Sequence, residues 1–122
     1  MGAQASPVAR LLRAIERGQL SEAEAAAREC EVVPLEGALG ICILYKLIDD
    51  ERFDRASRRF AARLATDHPK LTLTHCARII EAVDELNGEE RKRAMRRIAL
   101  ALRQAGLEGE AGFIEGLTER FF

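Results

Sequence analysis

A chain of 122 residues with 48% hydrophobic and 32% charged side chains has the length of one domain and an ordinary folded balance, which excludes wholesale disorder. Aromatic residues are only 5% and Trp is absent, so the core must be built from Ala, Leu, Ile and a few Phe, a mix that suits close-packed helices better than sheets. The net charge of −1 hides a basic middle: residues 52–103 hold 13 basic and 7 acidic side chains, against 5 and 9 in residues 1–51 and 1 and 4 in residues 104–122.

Ser6-Pro7 reads as a cap followed by a first-turn proline, and Gly18 ends that first helical segment. Ser21 with Glu24 three residues on has the form of a capping box and predicts a second helix to about Glu31. From Ala38 to Ile48 the chain carries one charge, Lys46, and then turns acidic. That run is shorter than the roughly 17–25 residues a membrane-spanning helix needs. Read as a helix it is apolar nearly all round, the pattern of a central helix packed on several sides, so residues 35–48 are predicted to be buried with Pro34 at their start.

Asp50 or Asp49 is expected to cap the next helix, which runs to about Asp67 with Phe53, Ala56, Phe60 and Leu64 on one side. His68-Pro69 breaks it, because a residue before proline is pushed out of the helical region. Thr72 or Thr74 caps the following helix, with Leu73, Cys76, Ala77, Ile80 and Val83 as its inward side and Asn87-Gly88 as its stop. A long helix from about Glu89 to Ala105 turns Ala94, Ile98, Ala101 and Leu102 inward, and Gly106 ends it. A last short helix, about Glu110 to Arg120, carries Phe113, Ile114 and Leu117.

The sum is an all-α single domain over residues 1–122: about seven helices, paired as antiparallel hairpins at 7–31, 35–67 and 72–106 around the central helix at 35–48. The stretch "LLRAIERGQLSEAEAAARE" resembles one hairpin of the tetratricopeptide class, though the later hairpins lack that repeat's aromatic and proline positions. "DDERFDRASRRFAARL" is similar to a segment of short helical proteins of GC-rich bacteria, a resemblance that brings no activity with it. What the hairpin resemblance implies is a protein-binding array, TPR-like in outline.

Chemistry-bearing motifs are sparse. Cys30, Cys42 and Cys76 are odd in number and lack C-x-x-C, which argues against a disulfide framework and a structural zinc site. His68, His75 and Cys76 do not have metal-ligand spacing, since His75 and Cys76 point about 100° apart on one helix. Gly37 and Gly40 do not form a phosphate loop, and no H-E-x-x-H helix occurs. No cofactor is expected, and an enzyme is the least supported reading. Residues 1–20 have no apolar run of signal-peptide length, so a cytoplasmic protein without a membrane span is the expectation.

Two surfaces remain as candidates. Arg52, Arg55, Arg59 and Arg63 share a side of the 52–66 helix, and Lys92, Arg96 and Arg103 form a row on the 89–105 helix. If those helices are neighbours, the rows make one basic face able to meet phosphates, and a nucleic-acid-binding regulator is the alternative function. Phe113, Leu117, Phe121 and Phe122 near the C-terminus suggest a docking tail over 110–122, either into the chain's own groove or as the contact of a homodimer. The favoured function is a non-catalytic helical interaction module or small adaptor with a protein partner.

Overall fold

The computed structural model describes residues 6–68 and 70–122. Among them are seven α-helices and no strand: α1 (Pro7–Glu16), α2 (Leu20–Glu29), α3 (Leu35–Leu47), α4 (Arg52–Asp67), α5 (Leu73–Asp84), α6 (Arg91–Gln104) and α7 (Glu108–Phe121). A 3-10 turn, Glu85–Asn87, closes α5. None of these helices is long and apolar enough to cross a membrane.

Local chemistry sets most boundaries as expected. The Ser6 hydroxyl accepts the Ala9 N–H at 3.1 Å, with Pro7 in the first turn, and Thr72 accepts the His75 N–H at 3.1 Å. Asp50 accepts the Arg52 backbone N–H at 2.8 Å and so serves the start of α4 from just outside it.

The capping box does not form. Gly18 sits at φ +71°, its N–H reaches the Ile15 carbonyl and the Gln19 N–H reaches the Ala14 carbonyl, each at 2.9 Å. This tight closure delivers the half-buried Leu20 straight into α2, one residue before Ser21, and leaves Glu24 free for other contacts. At the other end Gly106 (φ +83°) makes a similar closure, so α7 starts at Glu108; it runs through Phe121, one residue past the expected end at Arg120.

The helices pack in chain order, α1 on α2, α3 on α4, α5 on α6, with α4 on α5 and α6 on α7. α3 also touches α1, α2 and α7, which makes it the central helix its composition predicts. Gly37 and Gly40 explain how α1 comes so close. A Cβ on Gly37 would stand 2.8 Å from Leu11 Cδ2, and one on Gly40 would stand 2.8 Å from Ile15 Cγ2. Leu11 and Ile15, one turn apart on α1, thus seat in the notch left by two glycines on α3.

α7 returns to lie against α1 and α3, so the row of hairpins closes on itself. One continuous buried cluster draws side chains from all seven helices. On α5 the inward side differs from expectation. Cys76, Ile79, Ala82 and Val83 are buried, whereas Leu73, Ala77 and Ile80 face out. The apolar arc of α5 is wider than the surface α4 and α6 cover, and the helix is rotated to bury Ile79.

Candidate functional site

The two predicted basic rows do not meet. Among the described residues α5 packs against both α4 and α6, and those two helices have no comparable packing on each other. On α4 the row turns toward the α2 side: Arg52 reaches Glu24 of α2 at 3.2 Å, and Arg63 donates to the Val33 carbonyl at 2.7 Å. On α6 it turns the other way, with Arg103 paired to Glu108 and Glu115 of α7. Lys92 and Arg96 line a groove with Glu115, Thr118 and Glu119 of α7. Arg55, Arg59, Lys92 and Arg96 are exposed and make no ion pair among the described residues.

Arg52 is instead the centre of a clasp. Its guanidinium donates to both carboxylate oxygens of Asp50, at 3.0 and 2.8 Å, and to Glu24. It also lies over the Tyr45 ring at 4.7 Å, while the Tyr45 hydroxyl donates to Glu24 at 3.2 Å. α2, α3 and α4 are tied together at one end by these four side chains. The hydrogen bonds from Arg52 hold the Asp50 carboxyl down to about 2 and push the guanidinium's own pKa up. Burial, then the charge of Glu24, raises the Tyr45 phenol. The clasp is a structural joint: the guanidinium is already bound on its edge and its face.

Lys46 is accommodated within the fold, near Asp49 at 3.7 Å and above the Phe53 ring at 5.3 Å, and Asp84 is exposed at the end of α5. The thiol of Cys42 is pushed up to about 12 by burial, which makes it a packing group and not a nucleophile at neutral pH. Cys76 is buried with its sulfur facing the Leu64 carbonyl at 3.9 Å, and the neighbouring His75 ends in a buried Nδ1 without a partner. Among the described residues no three of His, Cys, Asp and Glu converge.

The C-terminal phenylalanines pack at home. Leu117 is buried, and Phe113, Phe121 and Phe122 are half-buried against the chain's own core. The Phe121 ring comes within 3.4 Å of where a Gly18 Cβ would stand, so the end of α7 covers the α1–α2 turn. Of the two roles expected for 110–122, this placement is docking within the chain.

The surface that the sequence reading misplaced is the outward side of α5. Leu73 is 85% exposed and Ile80 39%, and with Ala77 they form one stripe at steps of four and three residues. Beside Ile80 lies an open groove of about 450 Å³ between α4 and α5, floored by Phe60 and Val83 and rimmed by Asp54, Arg58, Glu81 and Asp84. The other exposed large apolar residues, Val8, Val32, Ile48 and Leu100, lie on other elements. The legible signal was the width of the apolar arc on α5, more than two flanking helices can cover.

Comparison with known protein families, curated proteins and solved structures gives no match.

Proposed function

We propose that this chain is a non-catalytic helical interaction module, a small adaptor whose docking surface is the outward side of α5 with the α4–α5 groove beside it. One observation carries the reading: a stripe of Leu73, Ala77 and Ile80 left in water by a helix that buries Cys76, Ile79, Ala82 and Val83. The reading keeps the helical-hairpin resemblance of the first two helices but moves the binding surface. Open hairpin arrays bind along a concave side. Here α7 packs against α1 and α3, the first helices of two successive hairpins. The surface on offer is therefore on α5.

A photo-crosslinking residue placed at position 73, in cells producing the protein, tests this. Adducts at 73 that are absent when the same residue replaces the exposed Ala62 on α4 support the reading. Equal labelling at both positions, or none at 73, sinks it.

A nucleic-acid reading rests on a separate observation, the four exposed cations Arg55, Arg59, Lys92 and Arg96 without ion pairs among the described residues. It predicts binding to labelled duplex or single strand that falls linearly with salt on logarithmic axes. Because the two rows point to different flanks, Arg59→Glu and Arg96→Glu would then weaken binding independently and additively. No binding at low salt leaves those arginines as a solvated face.

A further inference from the structure

We propose that the occupant of the α5 surface is a second copy of this chain, paired antiparallel across a twofold axis at Ala77; this rests on the interaction reading and names its partner. The stripe contains both halves of a contact. Leu73, 85% exposed in the first turn of α5, is a knob with nothing around it. The α4–α5 groove, with Ile80 on its wall and Phe60 and Val83 below, is a hole large enough for a leucine side chain. Knob and hole lie seven residues apart on one helix, about 10.5 Å, and on the same side. Leu73 cannot fill the groove of its own chain at that distance. A reversed copy satisfies both at once, Leu73 of each chain entering the groove of the other.

The residue midway is Ala77, exposed and no larger than a methyl, so the two helices can approach at the axis. Charge selects the same orientation. Lys70 stands seven residues before Ala77 and Asp84 seven after it, both exposed, with Glu81 beside Asp84 on the groove rim. Antiparallel pairing brings each Lys70 to the partner's acidic end. Parallel pairing would set lysine against lysine and acid against acid. A foreign protein would need to reproduce this order of base, knob, small residue, hole and acid, which a reversed copy has by identity. One helix pair with its groove is a contact at the small end of specific interfaces, so the dimer is a weak one that appears with concentration.

The test is sedimentation of the full chain over a concentration series, with variants. The expected result is a mass that rises with concentration toward twice the monomer. Leu73→Glu should lower the association constant by about tenfold or more while leaving the helical spectrum and unfolding midpoint unchanged, because Leu73 makes no core contact. Lys70→Glu and Asp84→Lys should each weaken the dimer, and the double variant should restore it. A photo-crosslinker at position 73 should bridge to residues 54–60 or 80–84 of the second copy. A wild-type chain that stays monomeric, a dimer untouched by Leu73→Glu, or a charge swap that fails to restore would each overturn the proposal. If the chain is monomeric and the position-73 crosslinker captures a different protein in cells, self-pairing fails and the interaction reading survives. With no crosslink of either kind, both fall.

Discussion

The same residue type does opposite things in this chain, depending on what stands beside it. Gly40 lies in the middle of α3, where a Cβ would meet Ile15 Cγ2 at 2.8 Å and Cδ1 at 2.9 Å. Ile15 is fully buried and β-branched, so it has little room to give. Gly112 lies in α7, where an added Cβ meets nothing within 4 Å. Gly40→Ala should therefore lose about 1–2 kcal/mol, the overpacking exceeding the gain in helix propensity. Gly112→Ala should gain about 0.5–1 kcal/mol from propensity alone. Urea titrations of the two variants read both signs. Asp50 supplies a pH test. Its folded pKa, about 2, lies below the ordinary value, so its contribution is present in full above about pH 4 and is lost as pH falls toward 2. Asp50→Asn should flatten that part of the stability profile, measured as the urea midpoint between about pH 2 and 5. If the variant's profile stays as steep as the wild type's, the Asp50–Arg52 clasp is not what acid breaks.

At the scale of elements, α3 and α7 divide the work of holding the bundle. α3 was legible because Leu35, Leu39, Cys42, Ile43 and Leu44 leave it no solvent side of any width, and the structure buries all five. α7 was partly legible: Ile114 and Leu117 face in as expected, but the helix begins two residues earlier and extends to Phe121. The reason it extends is tertiary. Phe121 gains a surface to cover only because the α1–α2 turn, with Gly18 and no side chain at its apex, lies beneath it. Phe121→Ala should then cost about 1–2 kcal/mol, roughly half the loss of a fully buried ring, measured as a fall in the unfolding midpoint. An unchanged midpoint would mean the end of α7 contributes no stability.

At the scale of the molecule, the contacts of α7 with α1 and α3 change how the chain should open. In an open array the terminal helix has one neighbour and frays before the rest. Here α7 rests on α6, α3 and α1. Native-state hydrogen exchange should give the amides of Ile114 and Leu117 the same opening free energy as those of Leu39 and Ile43 in α3. Much earlier exchange in α7 would show an open row of hairpins with a loosely attached last helix.

Local sequence alone set the helical class, about seven helices, the cap at Ser6, the ends at Gly18 and Gly106 and the burial of α3; between Thr72 and Thr74 the structure chose Thr72, and the break expected at Pro69 lies outside the described residues. These follow from local stereochemistry and from the period of apolar residues, both of which act within a few turns of chain. Three things were decided only by tertiary structure. Arg52 and Arg103 read as members of the two basic rows until the fold brought Glu24 and Glu115 to them from other helices. Whether the two basic rows make one face depended on α4 and α6 being neighbours, and in the fold each packs on α5 instead. Leu73, Ala77 and Ile80 read as core until the rotation of α5 was fixed by its neighbours. A hydrophobic period tells how wide a helix's apolar side is; which part of that width is covered depends on the helices packed against it, and on α5 the part left over is the surface proposed to act.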